Sequence, residues 1–487
     1  TYIDTLISDT LIRSKQGEYI GGAAESWETS EDGKTWTFKL KEGLTYSDGE
    51  TPITSEDFVY AAKRLMDPEA GHYNAESGYI LENGEEYYAG ECEWDEVGIK
   101  AVDDLTIEYT FKNPQYESTF TSTSLFAPLE ESFVDSLGTE YGSSADKILT
   151  NGPFIVSDWV SDSTMTLVKN ENYWDGEVPL DKVTLKCVDD QTTRSMALQT
   201  GEIDIAYNLK TENLVEFEGN DNYDIQELQS LRSTYAFMNQ NEDHALSDKA
   251  LRQALLRGLD KETYCNTLLE GGATAGKAPV PPTLDFGFDD LKDENAYDPD
   301  GAKKILEEAG YKDVDGDGFV ETPDGDPLVL DFVIYTSRAE LGVYAQAAQA
   351  SLKEIGINVN LNTVSYETLL DMRDSGQYDL LIWNVLVANT GDPENYLREN
   401  WYSSSSNNTA GYNNPDVDKL LDELAQTFDE DARKDLIIDI QQDIMDDAAT
   451  VFFGYETTYL FSNKKVTGVK MYPMDYYWLT KDITLAE

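Results

Sequence analysis

LRSTYAFMNQN, residues 231–241, and TVFFGYETTYLFS, residues 450–462, both read as buried, aromatic-rich strands. Neither contains a proline, so each can keep every hydrogen bond of a sheet interior. They bracket about two hundred residues that carry a complete helix and strand pattern of their own. If both strands run between the flanking halves, the chain leaves one lobe, builds a second and returns. Two such crossings make a hinge beside a cleft. The other reading, two core strands inside one lobe, stays open at this point.

The chain has 487 residues, more than one hydrophobic core usually serves, so two or three domains are expected. Acidic residues number 94 and basic ones 36, for a formal charge of −58. That balance excludes nucleic acid as a partner, because phosphates need cations. It also disfavours adhesion to anionic membranes. The 30 tyrosines and 8 tryptophans exceed the needs of a core and suit an aromatic-lined binding surface. Cys92, Cys187 and Cys265 form no metal spacing, and an odd number rules out complete pairing. No apolar run reaches the roughly 20 residues of a membrane span. No signal peptide is visible, and Thr1 reads as the start of a mature or trimmed chain.

Between residues 17 and 48 polar and apolar positions alternate, which puts Trp36, Phe38 and Leu40 on one face of a strand. Thr54 caps a following helix, with Asp57 at the capping-box position and Phe58, Ala61, Ala62 and Leu65 as the apolar stripe. Residues 69–96 read as a polar surface excursion, and 97–113 as a hairpin around Asp103 and Asp104. Residues 151–176 give two strands and an aromatic turn, followed by strand Lys182–Val188, a helix over 192–201 and strand Ile203–Tyr207. Beyond the first crossing, helices are expected at Asp248–Leu259 and from Pro299 to Gly310. Strand Leu328–Tyr335, helix Arg338–Ile355, strand Asn358–Val364, a helix near Thr368–Arg373 and strand Tyr378–Trp383 then form a βαβ series. Helices Asp416–Phe428 and Glu430–Met445 lead to the return crossing.

Catalytic signatures are nearly absent. His72 and His244 have no ligand-spaced partner, and no H-E-x-x-H or G-x-S-x-G occurs. Gly271–Lys277 has the spacing of a phosphate loop, but Ala278 replaces the hydroxyl residue and a helix precedes it, so a plain loop is expected. Asp313, Asp315, Asp317, the backbone of Phe319 and Glu321 follow a calcium-loop spacing, with Asp324 at position twelve. Two readings stay open there: a structural calcium ion, and an acidic turn between a helix and a strand. No other cofactor is required.

Several blocks together resemble the peptide-type solute-binding proteins of ABC transporters, family 5. They are Ala24-Glu25-Ser26-Trp27, Tyr46-Ser47-Asp48-Gly49 with Thr54–Tyr60, Asn151-Gly152-Pro153-Phe154, and Asn170–Asp175. Thr200–Asp204, Leu251–Leu255, Gly391-Asp392-Pro393 and Tyr412–Pro415 continue the pattern, so it covers nearly the whole chain. Ser337-Arg338-Ala339-Glu340-Leu341 is similar to the nickel and metallophore branch. The resemblance implies an α/β fold of the periplasmic-binding-protein type: two lobes, two hinge crossings and an extra subdomain in the first lobe. On this sequence the first lobe maps to 1–27, 151–234 and 458–487, the extra subdomain to 28–150, and the second lobe to 235–457.

The resemblance also implies function. The expectation is a non-enzymatic receptor, monomeric, on the outer face of the cell membrane. It would hold a peptide-like solute between the lobes and pass it to the permease subunits of an importer. A nickel, metallophore or oligosaccharide ligand is the alternative within the family, and a secreted hydrolase or an adhesion protein the alternatives outside it. Family peptide binders hold the ligand's α-amine on a carboxylate shortly before the Asp-Pro pair. The matching residue here is Asn389. Asp392 or Asp9 then substitutes, or the ligand has no free amine at that end. The candidate contacts are Asp9, Tyr235, Phe237, Asn239, Trp383, Asn389, Thr390, Asp392 and Tyr455.

Overall fold

The computed structural model describes residues 3–15, 18–72, 74–209, 211–335, 338–388, 391–472 and 479–486. The chain divides into two compact units: residues 1–209, 219–226 and 460–487, and residues 210–218 with 227–459.

In the first unit, β1 (Ala24–Thr29), β2 (Thr35–Leu40), α1 (Ser55–Leu65), β3 (Ile99–Asp103) and β4 (Thr106–Thr110) build one layer pair. The antiparallel sheet has the order β1-β2-β4-β3. Period-two alternation on β2 buries Trp36, Phe38 and Leu40 to 2% exposure or less. The rings of Trp36 and Phe38 meet Phe120, with centroids 4.9 Å and 4.6 Å away. Helix α1 starts on the expected capping box: the Thr54 amide donates to Asp57 Oδ2 at 2.6 Å. The stretch 69–96 departs from the surface excursion expected of it. Leu81 is fully buried in the same core, and the amide of Glu82 donates to Thr110 O, so the segment closes over the sheet. A second antiparallel sheet follows, with β5 (Phe154–Val160), β6 (Thr164–Lys169) and β7 (Lys182–Lys186) in order.

Strand β8 (Tyr223–Met238) is 16 residues long, begins in the first unit and ends in the second. It starts earlier than residues 231–241 suggested, because its first half is a polar, half-exposed alternation rather than an apolar run. The second unit continues with α2 (Lys249–Arg257), α3 (Pro299–Ala309), β9 (Val329–Tyr335), α4 (Ala339–Glu354), β10 (Asn358–Val364), α5 (Tyr366–Ser375) and β11 (Leu380–Leu386). Then come α6 (Glu394–Trp401), α7 (Pro415–Leu424), α8 (Glu430–Asp446) and β12 (Thr450–Asn463), which carries the chain back into the first unit.

Within the second unit the sheet order is β12-β8-β11-β9-β10. Strands β9 and β10 are parallel and joined through α4, and β9 and β11 are also parallel, as the βαβ series requires. Strand β11 lies antiparallel to β8, with Tyr235 opposite Trp383 and Thr234 opposite Asn384. From Ser230 onward β8 is buried except at Arg232, and β12 is buried almost continuously in this unit. Gly454 on β12 makes room for a neighbour: a Cβ there would stand 2.3 Å from Tyr344 Oη.

Pro299 follows the Asp298 cap on α3, and Gly310 ends the helix in the left-handed region at φ +96°. Gly271–Lys277 forms no phosphate cradle. Ala273–Ala275 pair antiparallel with 454–456 of β12, so the sheet takes up the loop's backbone groups.

Candidate functional site

In the first unit, Asp9 anchors a buried polar cluster. It is 3% exposed. Its backbone is clamped from both sides by Asn151, whose Oδ1 accepts from the Asp9 amide at 2.9 Å and whose Nδ2 donates to Asp9 O at 3.0 Å. Its Oδ2 accepts from Tyr173 Oη at 2.8 Å and from Trp174 Nε1 at 2.6 Å. Arg13 completes the group: Nη1 donates to Tyr173 Oη at 2.9 Å and Nη2 to Asp175 Oδ2 at 3.0 Å.

Two cations lie over the Trp174 ring, Arg13 with Cζ 4.9 Å and Lys41 with Nζ 4.3 Å from its centroid. Lys41 Nζ also donates to the carbonyls of Gly21, Gly22 and Ala24. Burial pushes the Asp9 carboxyl above its ordinary range, against Arg13, which pulls it down.

In the second unit, the expected contacts among the described residues fall into four places. Tyr235, Phe237 and Trp383 form one aromatic row on β8 and β11, with centroids 5.3 Å and 6.3 Å apart. Tyr366 on α5 extends the row, 6.1 Å from Trp383 and 5.4 Å from Tyr335 at the end of β9. Tyr235 is fully buried and its hydroxyl donates to Asn400 Oδ1.

Asn239 stands apart from this row. Its Nδ2 donates to Gly376 O and Tyr378 O, and its Oδ1 accepts from Asn241, so it fastens the end of β8. Tyr455 is equally occupied, accepting from the amides of Lys277 and Ala278 and donating to Ala278 O at 2.7 Å.

Asp392 is held by Arg433 and accepts from the Glu394 amide at 2.9 Å, which starts α6. Asn389, Thr390 and Ser337 lie outside the described residues.

The sequence reading missed a polar chain across three strands of this unit. Arg232 donates to Asn384 Oδ1 at 3.1 Å, Asn384 to Thr234 Oγ1 at 2.6 Å, and Thr234 to Glu456 Oε1 at 2.5 Å. Only β-pairing brings these residues together; the strand register is the signal that would have found Thr234 and Asn384.

At the acidic loop, carboxylate oxygens of Asp313, Asp315 and Asp317 lie within 4.8 Å of one another. The loop's own backbone uses them: Asp313 accepts from Gly316 and Gly318, Asp315 from Asp317, and Asp317 from Phe319. Glu321 Oε2 accepts from the Val314 amide at 2.7 Å.

These two units, with β8 and β12 each running from one into the other, have the fold of periplasmic binding proteins. Residues 18–408 match the bacterial extracellular solute-binding proteins, family 5, and the chain belongs to that family. It is 30% identical to the periplasmic oligopeptide-binding protein OppA of Salmonella typhimurium over 92% of this chain and 81% of that one. Among solved structures it is similar to an oligopeptide ABC transporter substrate-binding domain from Bacillus anthracis, with a TM-score of 0.80 at 26% identity over 100% and 94% of the two chains. The fold also matches NikA from Brucella suis in complex with Fe(III)-EDTA, with a TM-score of 0.85 at 22% identity over 99% and 95%. No helix among the described residues is long and apolar enough to cross a membrane.

Proposed function

We propose that this chain is a monomeric, non-enzymatic receptor outside the cell membrane that encloses a peptide-like solute between two lobes and delivers it to an ABC importer. The observation that carries this reading is the similarity to an oligopeptide-binding protein across 92% of the chain. The course of β8 and β12 supports it, because two strands that each pass from one unit to the other are what a hinge needs. Contacts that a ligand makes with both lobes at once would drive closure.

The ligand's amino end is not gripped by a carboxylate in this reading. Asn389 occupies the position that family resemblance gives to the amine-binding acid. Asp392 is engaged by Arg433, and Asp9 has Arg13 beside it. Affinity then comes from main-chain pairing, as in strand addition.

Calorimetry with matched free and N-acetylated peptides tests this. The two forms should bind within about threefold of each other, since no charge-assisted bond is lost on acetylation. A loss of a hundredfold or more on acetylation would contradict the amine assignment. Absence of any peptide binding would contradict the receptor reading itself.

A further inference from the structure

Beside Asp9 the first unit holds a cavity of ≈ 100 Å³, room for a few heavy atoms. Serine and threonine are the commonest of its described lining residues, Ser8 and Ser14 among them. Asp9 lines it as well, and the two carboxylate oxygens differ. Oδ2 holds both hydrogen bonds, from Tyr173 and Trp174. Oδ1 has no hydrogen-bond partner among the described residues; its nearest cation, Arg13 Nε, stands 3.6 Å away, beyond hydrogen-bonding reach. An acceptor in a side chain 97% buried therefore stands without a protein donor at the edge of a small cavity whose lining surface is otherwise mostly apolar. The hydroxyls of Ser8 and Ser14 also lack partners among the described residues and can both donate and accept.

Charge decides what fits. Among the described residues of the lining, the carboxylates of Asp9, Asp175 and Asp482 are matched by the cations of Arg13, Lys15 and Lys481. Arg13 pairs with Asp9 and Asp175, and Lys15 with Asp482. A second cation at Oδ1 would meet Arg13 at close range, and an anion would meet Asp9 itself. A neutral group that donates one hydrogen bond to Oδ1 and exchanges others with the serine hydroxyls satisfies the site without either conflict. We infer that this cavity is a subsite for a short, neutral, hydroxyl-bearing group, such as the side chain of a serine or threonine in the ligand. The inference rests on the receptor reading above and adds a side-chain preference to it.

Trp174 reports on the site, because its indole N–H donates to the same carboxylate. The full chain is labelled with 5-fluorotryptophan and followed by fluorine NMR, with Trp174→Phe assigning its resonance among the eight tryptophans. N-acetylserinamide and N-acetylalaninamide are titrated in parallel. The serine compound should move the Trp174 resonance saturably, at a concentration about tenfold below that at which the alanine compound does so. Asp9→Asn should abolish that difference. Equal responses to the two compounds, or none to either, would overturn the inference, and the unsubstituted protein decides this even if the Asn variant does not fold. Failure of the receptor reading looks different: no peptide binds by calorimetry while the serine compound still moves the resonance.

Discussion

The Arg433 guanidinium grips the Asp392 carboxylate with two nitrogens, Nε at 3.0 Å and Nη2 at 2.7 Å from Oδ2. The same side chain reaches Glu394 Oε2 at 2.9 Å and the carbonyls of Leu424 and Thr427. Arg433 is 5% exposed, so one buried cation from α8 ties the start of α6 to the end of α7.

Removing that cation leaves two carboxylates and two carbonyls without their partner. Arg433→Ala should destabilise the second unit by about 3–5 kcal/mol, the range for breaking one side of a buried ion pair. Arg433→Met with Asp392→Asn and Glu394→Gln should recover part of the loss. Denaturant unfolding measures both; a loss under about 1 kcal/mol for the alanine variant would show the network to be dispensable.

The aromatic core of the first unit gives a second test. Phe38 is fully buried and packs on Phe120 and Tyr109. Phe38→Ala should cost about 3–5 kcal/mol. Thr54→Ala, which removes the capping side chain of α1, should cost about 1 kcal/mol. Thermal and denaturant unfolding should rank them in that order.

Burial pushes the Asp57 carboxyl up to about 6 against the hydrogen bonds from Thr54 that favour its charged form. The unfolded carboxyl titrates near ~3.9. Between about pH 4 and pH 6 the folded chain thus holds a proton that the unfolded chain has released, and the stability from this group falls as pH rises through that window. Asp57→Asn should remove this slope. The stabilities of the two proteins should change relative to each other between about pH 4 and pH 6 and run parallel above that window; curves parallel throughout pH 4 to 7 would refute the assignment.

The cysteines should react in a fixed order. Cys187 is exposed, whereas Cys265 is fully buried, and burial pushes its thiol up to about 12. A maleimide should label Cys187 in the native protein and Cys265 only on unfolding of the second unit. Equal native rates would mean that the unit opens far more easily than its packing suggests.

Local signals carried most of the fold. Pro299 and Gly310 marked both ends of α3, and the Thr54–Asp57 pair marked the start of α1. Helix α6 escaped notice because it is short and polar; its buried face, Tyr396, Leu397, Asn400 and Trp401, is mixed with Glu394, Arg398 and Glu399. The site was less legible. Asp9 meets Tyr173 and Trp174 across more than 160 residues of chain, and Asp392 meets Arg433 across 41. Neither contact leaves a periodic trace, since long-range partners are set by topology rather than by spacing. Asn239 and Tyr455 were expected as contacts from the family resemblance; both are polar groups on apolar strands, a pattern that a binding residue and a residue fastening its own backbone share.

Small-angle scattering of the full chain with and without a saturating peptide tests the receptor account most directly. Closure of two lobes on the peptide predicts a smaller radius of gyration for the complex, reached at the concentration at which calorimetry shows saturation. An unchanged radius at saturation would contradict it.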